Sequence, residues 1–336
     1  QLVKGDSSIH IDGHGTASNM AYAPFTRTAI FVAGFAALMF AAGCRKAEEP
    51  ARAQRPRMLS EGTFNPYDTA RIIVDTVRID LDRDGISELV VTSRDRAIAP
   101  DPLLPKTFDR LEVFRFDTAR KVFTTIFIDP VESGSAVTFT DVTRRGLAEI
   151  VVTTNAGGND PIASQGMSVF GSKADGRFTI IFYANGGAPE IRDLNGDRVP
   201  EILVTEEYWG VMSHDEAIAY TASVHSFDGN EFVENNLRFS AHFDAEIGRC
   251  RAAYQRAKTA KGKSATEFSF ETYKAFTELL LWLIAKGDLY EVRRVWGVEK
   301  QFLSLRLSAE QYEDLDGLVQ DSLAEQQQAA ADEVLQ

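Results

Sequence analysis

The stretch Asp193–Glu206 reads DLNGDRVPEILVTE, and two related stretches precede it in the chain. Residues 80–93 read DLDRDGISELVVTS, and residues 141–154 read DVTRRGLAEIVVTT. Each copy has an acid at its first and ninth positions, followed at once by an apolar run rich in β-branched residues. Repetition at this spacing is typical of proteins built from stacked repeats. The pattern therefore predicts three structural units that fold alike.

Each acidic copy is followed by a segment with alternating apolar and polar residues on both sides of a turn. These segments are residues 111–126, 167–182 and 222–235. The dipeptides Asp175-Gly176 and Asp228-Gly229 at two of the turns are strong hairpin signals. Together with the strand that precedes the acidic loop, each unit is expected to contain about four strands, as a propeller blade does.

These units resemble FG-GAP and VCBS repeats, as found in the integrin α-subunit propeller and in many secreted bacterial proteins. The resemblance covers residues 70–240 and rests on D-x-[DN]-x-D-x-x-x-E followed by [LI]-[VL]-V-T. It implies a mainly β fold, with a β-propeller-like repeat domain over residues 67–240. Propellers have about four to eight blades, and three blade units are recognisable in this sequence. Pairing of residues 64–79 with the last hairpin would close a ring. A partial propeller, or one completed by a partner, is the alternative.

The first and third acidic loops have the ligands of a calcium site. Carboxylates at the first, third and fifth positions of a tight loop converge on one point, and a carbonyl at the seventh and a carboxylate at the ninth complete an oxygen cage that suits Ca²⁺. The expected first-loop ligands are Asp80, Asp82, Asp84, the Ile86 carbonyl and Glu88. The expected third-loop ligands are Asp193, Asn195, Asp197, the Val199 carbonyl and Glu201. An EF-hand is excluded, because its twelfth-position glutamate is replaced by Val91 and Val204.

The middle loop is expected to hold no metal. Thr143 and Arg145 occupy its third and fifth positions. A guanidinium lying among Asp141 and Glu149 would take the place of the ion with its own charge.

The third site is expected to be weaker than the first. Arg198 stands where the first loop has Gly85, at a cost of about 1 kcal/mol if the turn needs a positive φ. As an alternative to ion binding, the acids of both loops bond to backbone amides in plain turns. Any bound ions are expected to stiffen the units.

Composition and motifs favour a recognition protein over an enzyme. The 336 residues carry a formal net charge of −13, which disfavours nucleic acid as a partner. The sequence lacks the G-x-S-x-G, H-E-x-x-H, P-loop, G-x-G-x-x-G and C-x-x-C motifs. The expected partner is a protein or a glycan of the cell envelope. The alternative is an envelope hydrolase that acts on a polysaccharide or a phosphoester.

The N-terminal region has the pattern of a bacterial lipoprotein signal. Residues 29–43 form an apolar run that follows Arg27 and is short for a membrane span. The run ends AAGC, which resembles the lipobox of bacterial lipoproteins and implies cleavage before Cys44 and lipidation of that residue. An ordinary signal peptide or an uncleaved anchor is the alternative. Residues 1–43 are therefore expected to be an upstream extension, in which Met20 is the expected start, and a signal peptide.

Residues 44–66 are charged and poor in apolar residues, and they are expected to form a flexible tether. By resemblance to enterobacterial lipoprotein sorting, Arg45 favours the outer membrane. The expected location is thus the cell envelope, lipid-anchored, facing the periplasm or the exterior.

Residues 244–336 are expected to form a small α-helical subdomain, because the apolar period changes from about two to about 3.6 residues. The predicted helix starts are Ser269, the pair Asp288 and Glu291, and the pair Ser308 and Gln311, and the predicted stop is Gly287. Trp282 and Trp296 are expected in its core, and Cys250 is expected to be a buried thiol.

Three variable loops, residues 94–110, 155–166 and 207–221, emerge at the same point of each repeat. Loops grouped on a rigid scaffold are where binding sites form. The candidate partner-binding residues on them are Asn159, Asp160, Tyr208, Trp209 and His214.

Overall fold

The computed structural model describes residues 58–60, 70–99, 106–158, 160–173, 177–211 and 217–334. The predicted signal peptide, Cys44, the Asp175-Gly176 turn, Asn159 and His214 lie outside these residues. The described chain is mainly β, with two antiparallel sheets followed by four helices. The coarse prediction of a β domain with a helical C-terminal part is therefore confirmed.

The described strands form two sheets. Their bounds are β1 Met58–Ser60, β2 Arg71–Ile79, β3 Glu88–Asp95, β4 Phe108–Asp117, β5 Val122–Thr140, β6 Glu149–Asn155, β7 Gln165–Ser172, β8 Phe178–Ala184, β9 Glu190–Arg192, β10 Glu201–Tyr208, β11 Ala219–Phe227 and β12 Phe232–Glu234. The larger sheet has the order β2-β3-β4-β5-β6-β7-β8, with β1 paired to β5, and the smaller has the order β12-β11-β10-β9.

Strand β5 belongs to two of the predicted units. Its residues 122–130 pair with β4, and residues 134–140 pair with β6. Between these halves Pro130 has no N–H to donate, and Ser133 has a positive φ of 52°. In chain order the described strands fall into three consecutive units of four, β2–β5, β5–β8 and β9–β12, and the first two units lie in one continuous sheet. Each acidic loop has one strand before it and three after it, which agrees with the predicted number of strands per unit.

The pairing that would close a ring is not formed among the described residues. Strand β2 pairs with β3, and β12 pairs with β11. The expectation that residues 64–79 pair with the last hairpin is therefore wrong. Strand β12 has only three residues, and the chain enters the 3-10 helix Asn236–Phe239 directly afterwards, so its free edge is short. Strand β1, which lies within the predicted tether, pairs with β5 instead.

Two apolar clusters join neighbouring units. The first contains Leu81, Val90, Leu111, Val113, Ile150, Val152 and Phe170. The second contains Val142, Val151, Val169, Phe182, Ile202 and Phe232. Each fully buried side chain of this size contributes roughly 1.5–3 kcal/mol. Because β6 supplies residues to both clusters, both of its faces are buried, which explains its continuous apolar run.

The C-terminal region contains four helices, α1 Ser240–Thr259, α2 Ala265–Ala285, α3 Leu289–Ser304 and α4 Ala309–Val334. The prediction that Ser269 begins a helix is wrong. Ser264 caps α2 in a capping box with Glu267. Ser269 lies in the second turn, where its hydroxyl donates to Gln311 at 2.6 Å. The first three residues of α2 are exposed, so apolar periodicity alone placed the start too late.

The other predicted helix ends are confirmed. Gly287 has a φ of 79°, and the amide of Asp288 donates to the Leu283 carbonyl at 3.0 Å, as in a Schellman motif. Asp288 accepts from the amide of Glu291 at the start of α3. Ser308 and Gln311 bond each other's backbone amides through their side chains, at 3.2 and 3.1 Å, before α4.

The core predictions for this region are also confirmed. Trp282 and Trp296 are each 7% exposed, and Cys250 is a buried free thiol. Burial raises the pKa of the Cys250 thiol to about 12. None of the described helices is both long enough and apolar enough to span a bilayer.

Candidate metal centre

The three acidic loops follow the same backbone course. In each, the fourth and sixth residues have positive φ. These pairs are Arg83 and Gly85, Arg144 and Gly146, and Gly196 and Arg198. The left-handed conformation at Arg198, with a φ of 67°, confirms that the sixth position needs a positive φ.

The ninth-position glutamate is buried in all three loops. Glu88 and Glu149 are 0% exposed, and Glu201 is 1% exposed. One oxygen of each accepts a hydrogen bond from the second residue of its own loop, at 3.0, 2.9 and 2.9 Å. A buried carboxylate costs several kcal/mol unless its charge is balanced. The group that balances the charge of this glutamate differs between the loops.

The first-position aspartate also has a constant role. In each loop one of its oxygens accepts from the amide of the sixth residue, at 3.0, 2.9 and 2.9 Å. The second oxygen of Asp80 and that of Asp141 are buried and have no hydrogen-bond partner among the described residues. The backbone therefore orients this carboxylate and leaves one oxygen of Asp80 for a ligand.

In the first loop, carboxylate oxygens of Asp80, Asp82 and Glu88 lie within 4.8 Å of one another. Asp84 is exposed, and its carboxylate accepts from the Ile86 amide at 2.7 Å. The structure thus brings three of the four predicted carboxylates together, and it places Asp84 outside that group.

Arg115 enters the first loop from β4, which the sequence did not indicate. Its Nε donates to Glu88 at 2.9 Å, and its guanidinium also pairs with Asp82. In this arrangement Arg115 balances the buried Glu88. An ion that takes Asp82 and Glu88 as ligands must displace this guanidinium.

In the middle loop a guanidinium comes from the loop itself. Arg145 donates to Glu149 at 3.1 Å and to the Thr143 hydroxyl at 2.9 Å. Opposite lies Gly171, where a Cβ would approach the Arg145 guanidinium to 3.1 Å. The predicted contact of Arg145 with Glu149 is confirmed.

In the third loop, no basic side chain of the described residues pairs with Glu201. The register opposes Leu89 to Phe114 and Ile202 to His225, so Ser226 occupies the strand position of Arg115. Burial and the charges of Asp197 and Asp193 raise the pKa of Glu201, whereas the hydrogen bond from the Leu194 amide and the charge of Arg238 oppose the shift. Arg238 also pairs with Asp197 at 3.7 Å.

The remaining third-loop ligands are near the surface. Asp197 accepts from the Val199 amide at 2.7 Å and from the Asn195 amide group at 2.9 Å. Asp193 accepts from the Gly196 amide at 2.7 Å. The loop therefore offers oxygen donors with a net negative charge and a buried Glu201 at its base.

The described candidate residues of the variable loops have separate surroundings. Asp160 is hydrogen-bonded to Glu207, whose pKa is raised to about 7 by burial and by the charge of Asp160. The hydroxyl of Tyr208 donates to Asp314 of α4 at 2.8 Å. Trp209 is 39% exposed. Asp160 and Trp209 are thus accessible to solvent, whereas the Tyr208 hydroxyl is hydrogen-bonded to the helical region.

No protein-family model matches this chain, and a search of curated proteins finds no significant match.

Proposed function

We propose that this chain is a calcium-binding lipoprotein of the cell envelope, in which a β-propeller-like scaffold recognises a protein or glycan partner. The observation that carries the calcium proposal is the repeated loop geometry. Three loops share one backbone course, and each has a carboxylate buried at its base. In the third loop no basic side chain of the described residues pairs directly with that carboxylate, and Arg238 acts on it only through its charge.

Calcium fits the donors better than a transition metal does. The first and third loops offer carboxylate, amide and carbonyl oxygens and no imidazole or thiolate. Hard oxygen donors in a flexible loop favour Ca²⁺. The ion would also offset the burial of Glu201, so its binding is expected to stabilise the fold.

The third loop is proposed to bind Ca²⁺ more tightly than the first, which reverses the order expected from sequence. The strain at Arg198, about 1 kcal/mol, is already present without an ion. Displacing Arg115 costs more, because each hydrogen bond between charged groups contributes about 1.5–3 kcal/mol. The third loop has only a weaker counterpart, the exposed pair of Arg238 with Asp197 at 3.7 Å, which contributes less than about 1 kcal/mol.

The propeller-like arrangement is the interpretation that best accounts for three successive four-stranded units with apolar clusters between them. In this scaffold the variable loops lie at the end opposite the acidic loops, because the strands alternate in direction. The lipid on Cys44 would attach the chain to the membrane, with the outer membrane favoured. No role in nucleic-acid binding is proposed, since the net charge is −13.

Calcium titration calorimetry of the full chain, paired with melting curves in calcium and in EGTA, tests this proposal. Two sites and a higher melting temperature in calcium are expected. Asp197→Asn should remove the tighter site and Asp82→Asn the weaker one. Asp141→Asn, in the middle loop, is the matched control and should leave both. Absence of heat and of any melting shift would show that the loops are plain turns.

A second candidate function is hydrolysis at the variable-loop end, and one observation favours it. Asp160 and Glu207 share a hydrogen bond, and the pKa of Glu207 is about 7. A pair of carboxylates with separated pKa values is the arrangement used by acid–base hydrolases. Turnover of polysaccharide or phosphoester substrates that is lost in Glu207→Gln, with unchanged calcium binding, would favour the enzyme over the recognition protein.

A further inference from the structure

A cavity of about 590 Å³ opens between the first and second units. Its walls come from the start of β4, the bend of β5 and the strands β6, β7 and β8. The lining residues that carry the argument are Asp109, Asp129, Glu132, Ser168, Ile180 and Tyr183. The volume falls within the range of about 300–1,000 Å³ that is typical of small-molecule sites.

The cavity has an excess of negative charge. The carboxylate of Asp109 pairs with Arg71 and accepts from the Asp95 amide at 2.8 Å. The side chains of Asp129 and Glu132 form no ion pair or hydrogen bond with any residue of the described chain, and none of the lining residues is basic. Burial alone raises the pKa of Asp129. Two carboxylates thus face the cavity without a protein cation.

A hydroxyl also faces the cavity. Ser168 is 6% exposed, and it lines the cavity. Its hydroxyl makes no hydrogen bond within the described part of the chain, and its oxygen is not among the buried polar atoms that lack a partner. The Ser168 hydroxyl is therefore open to the cavity and can accept a hydrogen bond from a polar group of a ligand.

The carboxylates are too dispersed for a metal ion. Among the described residues, three acidic or metal-ligating groups approach within 4.8 Å of one another only at Asp80, Asp82 and Glu88. A larger cation suits the cavity better. Tyr183 and Ile180 are 59% and 43% exposed in the same wall, and they offer a ring face and an apolar surface for an alkyl chain.

We propose that this cavity binds an organic cation with an alkylammonium group, supplied by a free diamine or by a lysine side chain. The ammonium group is held by Asp129 and Glu132 and donates to the Ser168 hydroxyl, and the alkyl chain lies against Ile180 and Tyr183. This inference rests on the proposed recognition function and names the chemistry of its ligand.

Calorimetry at low salt, with the full chain and three matched probes, tests the proposal by measuring binding. Cadaverine represents a free diamine, N-acetyl-lysine amide represents a lysine side chain, and the neutral diol of the same length as cadaverine lacks the charge. We expect at least one amine to bind and the diol not to bind. Tighter binding of cadaverine identifies a free diamine as the source, and tighter binding of the lysine derivative identifies a protein side chain.

Variants then locate the site. Asp129→Asn should weaken amine binding about tenfold or more, since it removes one hydrogen bond between charged groups, and Ser168→Ala should weaken it less. Glu231→Gln, an exposed acid in the β11–β12 turn, is the control and should have no effect. The comparison of amine and diol on the unaltered chain needs no variant, so misfolding of a variant cannot hide the result.

The proposal is overturned if neither amine binds, if the diol binds as well as cadaverine, or if Asp129→Asn and Ser168→Ala both leave amine affinity unchanged. Repeating the titration in EGTA keeps this test separate from the calcium proposal. A chain that binds calcium and no amine would contradict only the cavity proposal. A chain that binds amine and no calcium would contradict only the calcium proposal.

Discussion

The Tyr208 hydroxyl donates a hydrogen bond to Oδ2 of Asp314 at 2.8 Å. Tyr208 ends β10 and Asp314 lies in α4, so this bond connects the third unit to the last helix. Tyr273 of α2 donates to the same oxygen at 2.6 Å, and Asp314 is 8% exposed. One buried carboxylate thus joins a strand and two helices, and its charge strengthens both bonds.

Tyr208→Phe is expected to lower the free energy of unfolding by about 1.5 kcal/mol, because it removes a hydrogen bond to a charged group. Asp314→Ala should cost more, since it removes the acceptor of two hydroxyls. Urea denaturation monitored by circular dichroism measures both. Tyr290→Phe is the control, because Tyr290 is 80% exposed. An equal effect of the Tyr208 and Tyr290 substitutions would contradict a role for the Asp314 contact.

Arg115→Met is expected to make first-loop stability depend on calcium. The substitution leaves Glu88 buried without its cation, so the free energy of unfolding in EGTA should fall by about 3 kcal/mol. Calcium should restore it and should bind the first loop more tightly than in the unaltered chain, because no guanidinium has to be displaced. Melting curves with and without calcium measure the first effect, and calorimetry measures the second.

Arg120→Met is the matched control for this experiment. Arg120 pairs with Asp117 at 3.7 Å in the adjacent turn and is 70% exposed, so its loss should change stability by less than about 1 kcal/mol. If calcium does not restore the stability of Arg115→Met, the first loop is an ion pair in place of a metal site, as proposed for Arg145 and Glu149 in the middle loop.

Features set by neighbouring residues were predictable from the sequence. The Ser308 and Gln311 capping pair and the Gly287 stop depend on contacts within one turn, so residue type and spacing suffice to place them. The positive φ at Arg198 followed from alignment with Gly85, because the repeats impose one backbone course on three loops. The strand number per unit followed from the same repetition.

Features set by distant residues were not predictable. Arg115 reaches Glu88 from another strand, and a repeat pattern in the loop carries no signal for it. The sequence also did not predict that two units share β5, because the bend in β5 depends on packing rather than on a turn motif. The cavity lined by Asp129 and Ser168 joins residues of two units, whose relative placement no local pattern gives.

Glu206→Gln is expected to stabilise the chain at alkaline pH. Burial and the charge of Glu234 together raise the pKa of Glu206 from 4.5 to about 7, against a hydrogen bond from Ser223 that lowers it. The folded state therefore favours the protonated form. The stabilisation from protonated Glu206 is complete below pH 4.5 and is lost as the pH rises through about 7. The free energy of unfolding falls by up to about 3 kcal/mol over this range.

Urea denaturation at several pH values between 4.5 and 8 measures the Glu206 effect. The glutamine variant should show a flatter dependence than the unaltered chain, with the largest gain at pH 8. Glu231→Gln should leave the slope unchanged. If the free energy of unfolding depends on pH in the same way for the unaltered chain and for Glu206→Gln, then Glu206 does not titrate in this range.

Gly187→Ala is expected to destabilise the chain far more than Gly157→Ala. Both glycines have left-handed φ, 79° and 75°, so each alanine carries a backbone cost of about 1 kcal/mol. A Cβ at Gly187 would lie 2.4 Å from Val204 and 2.8 Å from the Thr205 carbonyl, whereas nothing lies within 4 Å of one at Gly157. The backbone at Gly187 cannot shift away easily, because its carbonyl accepts a hydrogen bond from the Thr205 amide at 2.8 Å.

The steric clash should cost Gly187→Ala about 1–3 kcal/mol more than Gly157→Ala, measured as the difference between the unfolding free energies of the two variants. Equal losses for both variants would mean that the connection between β8 and β9 does not pack against β10 as closely as the structure places it.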